Sequence, residues 1–174
     1  SLKYNNGDQA EDGLLGLAID PNFATNGFVY LYYSPAGTEP KNDLARYVMH
    51  GDSIDMSSGK VMLEVATQRD ECCHTGGSIA FDAHGNLYLS TGDNSNPFAN
   101  GYAPIDERPG RSPWDAQKSS ANTNDLRGKV IRIHPEPDGS YTIPEGNLFS
   151  PGTPKTRPEI YTMGHRNPYR ISVD

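Results

Sequence analysis

The chain has 174 residues, the size of one ordinary domain, and its 22 acidic against 15 basic side chains give a formal charge of −7. That sign argues against a nucleic-acid-binding protein, which needs a basic surface, and no stretch is apolar for long enough to span a membrane. The 18 glycines and 14 prolines favour short strands joined by turns over long helices.

A weak internal repeat organises the chain. Three segments run from apolar residues into an aspartate, at Leu17–Asp20, Ile79–Asp82 and Ile171–Asp174. The first two continue through a turn into a second strand candidate, Phe28–Ser34 and Leu87–Ser90. Alternating apolar and polar residues mark the remaining candidates, Leu44–Met49, Val61–Ala66, Lys129–Ile133 and Glu159–Met163.

About four strands with tight turns in each repeat are typical of a β-propeller blade. We predict an all-β fold of four-stranded antiparallel blades, with units at about 14–70 and 76–163 and the start of a third from 169. The whole chain, 1–174, would be one partial propeller domain. Since a propeller typically closes with four to eight blades, we expect the remainder of the ring as its packing partner. The loop 94–127, rich in Asn, Ser, Pro and Gly, is expected to be functional or mobile.

Polar clusters precede the first two predicted inner strands. Glu11–Gly16 joins carboxylates to glycines, which suits a loop whose backbone approaches a ligand; the alternative is an ordinary acidic turn. His74 lies in the second cluster, and Asp93 ends the neighbouring strand. An aspartate that accepts a hydrogen bond from one imidazole nitrogen leaves the other nitrogen available as a base. The alternative is a turn histidine bonded to backbone.

A third cluster, Gly164–Pro168, precedes the third predicted inner strand. Arg166 is a permanent cation with a planar set of donors, which suits a carboxylate or a developing oxyanion; the alternative is a surface ion pair. The three clusters each precede a predicted inner strand. Because the inner strands of propeller blades converge on a central channel, we predict that the clusters meet at one rim of that channel.

Taken in order, these motifs resemble those of the soluble glucose/sorbosone dehydrogenase family. The matching segments are Glu11–Ala18 with Asp20–Phe23, His74–Ser78 through Tyr88 to Gly92 and Asp93, Leu126–Ile133, and Gly164–Pro168. The resemblance covers nearly the whole chain. It implies the N-terminal-to-middle portion of a six-bladed propeller that uses pyrroloquinoline quinone (PQQ) and calcium.

The resemblance also implies a role for each site residue. His74 would be the catalytic base, taking the proton from a sugar hydroxyl while hydride passes to the quinone, and Asp93 would orient it. Arg166 and Asn167 would contact the quinone, with Arg166 stabilising negative charge on a quinone oxygen. No metal ligand is expected within this chain, because the calcium ligands and the basic residues that hold the quinone carboxylates belong to the later half of the family.

Two residues expected at the cofactor depart from the family pattern. Glu11 stands where the glucose enzymes have a glutamine, and Cys73 where they have an aspartate. The adjacent Cys72 and Cys73 allow three interpretations: a vicinal disulfide, a metal site shared with His74, or two reduced thiols. In other PQQ propellers, the alcohol dehydrogenases, such a disulfide ring lies against the quinone. An oxidised pair would suit a periplasmic or extracellular protein.

The function predicted on these grounds is an oxidoreductase that oxidises an aldose or related sugar and passes the electrons to an unspecified acceptor. The alternative is a non-redox propeller that binds a glycan or a protein partner, because the later cofactor-binding residues are not part of this sequence. A lyase or hydrolase that uses paired carboxylates is a weaker option.

Overall fold

The computed structural model describes residues 11–98 and 105–174, and almost all of the regular secondary structure in these ranges is β-strand. Its first sheet is antiparallel, with four strands hydrogen-bonded in chain order. A single helical turn, α1 (Phe23–Asn26), joins the first two strands. The strands of this sheet are β1 (Leu14–Ile19), β2 (Phe28–Tyr33), β3 (Lys41–His50) and β4 (Ser53–Ala66).

The second sheet repeats this plan with a change at its outer edge. Its strands are β5 (His74–Phe81), β6 (Leu87–Asn94), β7 (Lys129–Pro135), β8 (Tyr141–Thr142) and β9 (Ile160–Met163). The strands β5, β6 and β7 pair antiparallel in that order, and β8 and β9 both pair with β7 at its two ends. Two single-turn 3-10 helices, Ser112–Trp114 and Ala116–Lys118, lie in the loop between β6 and β7.

Equivalent aspartates follow the inner strand of each sheet. In the first sheet Asp20 accepts a hydrogen bond from the Tyr30 hydroxyl at 2.8 Å, and in the second Asp82 accepts one from the Tyr88 hydroxyl at 3.3 Å. Each carboxylate also accepts from a backbone amide two residues on and from an asparagine side chain. The repeat in the sequence is therefore a repeat of turn structure, in which one carboxylate satisfies several donors.

The hydrophobic core lies between the two sheets. Leu44 of the first sheet and Leu89 and Ile131 of the second are fully buried in one continuous cluster. The inner strands β1 and β5 approach so closely that a Cβ on Gly16 would lie 1.9 Å from the carbonyl oxygen of Gly77. Two blade-like sheets therefore pack face to face and meet along their inner strands.

Most strands have at least one boundary that differs from the predicted one, and three of these differences bear on the site. β1 begins at Leu14 instead of Leu17, β5 at His74 instead of Ile79, and β6 continues to Asn94 instead of Ser90. Most residues at these strand ends are small, polar or glycine, so they show no alternation of apolar and polar side chains. The strands extend over them because they pair with the neighbouring strand. His74 and Asp93 therefore lie within paired strands rather than beside them.

The predicted third unit has no strand of its own among the described residues. Residues 171–174 are neither helix nor strand, although the Ile171 amide donates a hydrogen bond to the Ser78 hydroxyl at 3.2 Å beside β5. A strand is defined by its ladder with a neighbour, so the boundaries of this unit stay a prediction. No helix in the described ranges is both long and apolar enough to cross a bilayer.

Candidate functional site

A histidine and an aspartate form a buried pair at one end of the second sheet. His74 Nδ1 lies 2.8 Å from Asp93 Oδ1, and the two residues are 4% and 1% exposed. The same carboxylate oxygen accepts a hydrogen bond from the Ser95 amide at 3.0 Å. An ionised carboxylate only accepts hydrogen bonds, so this contact favours the neutral tautomer that carries its proton on Nδ1 and has the lone pair on Nε2.

Glycines at the strand ends allow this pair to form. His74 and Asn94 are partners in the ladder between β5 and β6, whose register shifts on either side of Gly76. A Cβ on Gly92 would lie 2.4 Å from the His74 carbonyl oxygen, and one on Gly76 would lie 2.8 Å from the Gly92 nitrogen. The backbones therefore approach each other more closely here than side chains would permit, which brings the imidazole onto the carboxylate.

Glu11 lies directly beside the histidine. Its Oε2 accepts a hydrogen bond from the Thr75 amide at 3.1 Å, and its carbonyl accepts one from the Thr75 hydroxyl at 2.7 Å. The exposed Glu11 side chain lines a cleft of about 440 Å³ that also touches Tyr169 and Arg170. The first predicted cluster is thus joined to the second, and its acidic turn is part of a cleft wall.

The backbone brings the third cluster to the same place. The Asp93 amide donates a hydrogen bond to the Arg166 carbonyl at 2.8 Å. The Arg166 side chain is exposed and makes no hydrogen bond or ion pair with the described residues, so the alternative interpretation, a surface ion pair, is not seen there. The neighbouring Asn167 Oδ1 is buried without a hydrogen-bond partner within the described ranges.

Cys72 and Cys73 are joined as a disulfide immediately before His74. Both residues are half-buried, which places the ring at the edge of the site rather than in the core. Within residues 11–98 and 105–174 there is no group of three or more His, Cys, Asp or Glu side chains that could hold a metal ion. Of the three interpretations of this cysteine pair, the structure agrees with the disulfide.

Sequence reasoning missed the residues that hold the loops around the pair. The Gln68 amide donates to Asn94 Oδ1 at 2.6 Å, which joins the segment before the cysteines to the end of β6. Lys129 is fully buried under the loop that precedes β7. Lys129 could have been noticed in the sequence, because it is a charged residue at the start of a predicted strand. No sequence signal relates Gln68 to Asn94, because they are 26 residues apart and only the strand register brings them together.

The packed blade-like sheets and the imidazole–carboxylate pair at their end define part of a β-propeller with a candidate acid–base site. A family model described as glucose/sorbosone dehydrogenase matches residues 5–174. The chain therefore belongs to the glucose/sorbosone dehydrogenase family.

Individual relatives agree with this assignment. The chain is 28% identical to quinoprotein glucose dehydrogenase B of Acinetobacter calcoaceticus, over 96% of this chain and 34% of that protein. It is 28% identical to human Hedgehog-interacting protein, over 94% of this chain and 23% of that one. The solved PQQ-bound aldose sugar dehydrogenase of Streptomyces coelicolor matches with a TM-score of 0.60 at 25% identity, over 94% of this chain and 39% of that one. The chain thus spans well under half the length of these relatives.

Proposed function

We propose that the whole protein is a sugar dehydrogenase in which His74 acts as the general base. The observation that carries the proposal is the 2.8 Å contact between His74 Nδ1 and Asp93 Oδ1. In the neutral tautomer that this contact favours, Nε2 is the atom proposed to accept the proton of a sugar hydroxyl. The Ser95 amide donates to the same carboxylate oxygen, so Asp93 is held while the imidazole takes up charge. A general base of this kind contributes about 10²–10⁴-fold to a rate.

The residues beside this pair fit a quinone cofactor. The Arg166 guanidinium is exposed without a partner among the described residues, and a planar cation of this kind suits a quinone oxygen or carboxylate. The buried Asn167 Oδ1 has an unused acceptor site, and Glu11 and Cys73 lie on either side of His74. PQQ, when bound, supplies the acceptor for the hydride that leaves the sugar. Its carboxylates and the calcium ion are proposed to be held by residues outside this sequence.

The substrate proposed is an aldose or a related sugar, with the remainder of the propeller completing the site. Glu11 and Thr75 line the cleft beside His74, and the Glu11 carboxylate supplies acceptors for sugar hydroxyls. A periplasmic or extracellular location is proposed because disulfides such as Cys72–Cys73 persist in oxidising compartments.

A second candidate function is a non-redox propeller that binds a glycan or a protein. It is favoured by the 28% identity to a protein whose name describes it as Hedgehog-interacting. Such a protein would keep the fold without needing a base at His74. The two functions differ in whether substitution of His74 abolishes a sugar-dependent reaction.

The test uses the full-length protein supplied with PQQ and calcium, a panel of aldoses, and an artificial electron-accepting dye. We expect sugar-dependent dye reduction in the wild type and a fall of about 10²–10⁴-fold in His74→Gln. The matched control is His84→Gln, which changes an exposed histidine in the turn at the other end of the same strand pair and should leave the rate unchanged. No dye reduction with any sugar, together with no quinone binding, would exclude the proposed dehydrogenase and favour the binding function.

A further inference from the structure

A lysine is fully enclosed a short distance along the sheet from the histidine–aspartate pair. Lys129 is the first residue of β7 and is 0% exposed. Its ammonium group donates to three backbone carbonyls, at 2.9 Å to Ser119, 3.0 Å to Ser120 and 2.8 Å to Arg127. An ammonium group has three protons to donate, so every donor is used.

The charge of Lys129 is held by backbone carbonyls rather than by a carboxylate. No acidic side chain of the described residues forms an ion pair with it. All three carbonyls belong to the segment 119–127, which precedes β7 and contains no helix or strand. A buried charge is tolerated only where hydrogen bonds compensate its lost hydration. The ammonium group therefore ties this segment together at three points.

The same loop is bonded to the third cluster and to the strand that carries Asp93. The Ser120 carbonyl also accepts from the Gly164 amide at 3.1 Å, and the Gly128 carbonyl accepts from the His165 amide at 3.1 Å. The Gly128 amide in turn donates to the Gly92 carbonyl at 2.8 Å.

These bonds form a continuous path from the ammonium group to the site. Gly164 and His165 lead directly into Arg166, whose carbonyl accepts from the Asp93 amide. A Cβ on Gly128 would lie 2.2 Å from the Ser120 Cβ, so the loop, the strand and the third cluster are in direct contact. A change at the ammonium group would be transmitted to the Arg166 backbone and from there to Asp93, which contacts the imidazole.

We propose that Lys129 is a positioning residue, whose buried ammonium group holds the loop 119–127 and thereby sets the place of Asp93 and of the Arg166–Asn167 segment relative to His74. This positioning role concerns the geometry of the site and can be tested whether or not the protein oxidises a sugar. Only its effect on the reaction rate rests on the function proposed above. Lys129 touches neither the cleft nor the imidazole and so takes no part in the chemistry directly.

The ammonium group should also make the site sensitive to alkaline pH. Burial lowers the pKa of Lys129 to about 8; the charge of Asp125 opposes this shift and the charge of Arg127 adds to it. The other titratable group facing it is His165, whose pKa is lowered from 6.5 by burial and then by the lysine charge, so it stays neutral in this range. Above about pH 8 the amine has two protons for three carbonyls, and one contact of the loop is lost.

Global stability should change in the opposite direction. The pKa of Lys129 is lower in the folded protein than the ordinary 10.5, so between about pH 8 and 10.5 the unfolded chain binds more protons. The contribution of this group to the free energy of unfolding therefore rises across that range. A loss of site geometry above pH 8 would not be explained by unfolding.

The test follows the His74 Nδ1–H signal by NMR in the full-length protein and, separately, turnover from pH 7 to 9.5. We expect the wild-type signal to shift with a midpoint near pH 8. In Lys129→Met, of similar volume, we expect a displaced signal without this transition and a kcat about 10–100-fold lower at nearly unchanged KM. Lys129→Arg, which stays charged, should lack the alkaline fall in turnover. The control is Lys118→Met, an exposed lysine of the same loop, which should behave as wild type.

The outcomes separate this proposal from the proposed function. If Lys129→Met is folded and its His74 signal and pH dependence match the wild type, the positioning role is overturned. If neither lysine variant folds, a wild-type His74 signal without a transition near pH 8 also overturns it. If the signal responds as expected but no sugar is oxidised, the positioning role stands and the dehydrogenase proposal fails.

Discussion

The two sheets carry different pairs at corresponding ends. In the first sheet the Ser34 hydroxyl, just after β2, lies 2.8 Å from Asp12 Oδ1, just before β1. In the second sheet the equivalent ends of β5 and β6 hold His74 and Asp93, also 2.8 Å apart. Only the second pair contains an imidazole, a side chain that can act as a general base. The same end of the first two strands therefore holds a structural contact in the first sheet and a candidate acid–base pair in the second.

The largest expected effect breaks the pair in the second sheet. Asp93→Asn keeps the shape but replaces an obligate acceptor with an amide, so the imidazole can adopt the other tautomer. We expect kcat to fall by about 10²–10⁴-fold, measured as sugar-dependent dye reduction. Ser34→Ala at the corresponding place in the first sheet should lower stability by about 1 kcal/mol and leave kcat unchanged. Equal kinetic effects of the two substitutions would contradict the comparison.

The next effect concerns the close approach of the strands. Gly92→Ala would put a Cβ 2.4 Å from the His74 carbonyl oxygen, so β5 and β6 must separate at the site. We expect a loss of about 3 kcal/mol in the free energy of unfolding by urea, together with a displaced His74 signal. Gly13, at the matching end of the first sheet, has open space around its Cβ position, although its φ of +120° disfavours alanine. A cost of Gly13→Ala as large as that of Gly92→Ala would argue against a special close approach at the site.

At the opposite ends of the inner strands the sheets are alike and should respond alike. Asp20→Ala and Asp82→Ala each remove a carboxylate that accepts several hydrogen bonds in a turn. We expect each variant to lose about 2 kcal/mol in urea unfolding, with kcat per folded molecule unchanged. A large loss of turnover in either variant would show that the turn end and the site end are coupled.

The smallest effect is a pH dependence of stability. Burial raises the pKa of Asp82, but hydrogen bonds from Asn86, His84 and Tyr88 outweigh it and hold the pKa below 3.8. A depressed folded-state pKa contributes stability above about pH 4, which is lost as the pH falls through the folded value. Asp82→Asn should therefore show a shallower loss of unfolding free energy in acid. The control, Asp52→Asn in the exposed turn between β3 and β4, should keep the wild-type slope.

Much of the fold could be predicted from the sequence because strands and turns leave local signals. The repeated apolar–aspartate segments and apolar alternation together located eight of the nine strands that lie in the described ranges. The short β8 was missed because two residues are too few to show a period. The pairing of both β8 and β9 with β7 was also missed, because pairing depends on contacts between distant parts of the chain.

The amino-acid sequence by itself determined which side chains are available for chemistry: an imidazole, carboxylates, a guanidinium and a pair of neighbouring cysteines, each next to a strand. The tertiary structure decided how they combine. The contacts of His74 with Asp93, of Glu11 with Thr75 and of the Asp93 amide with the Arg166 carbonyl join residues 19 to 73 positions apart. Such contacts depend on the register of paired strands and on the close approach of two backbones at glycines. The local pattern of residues shows neither the register nor the approach.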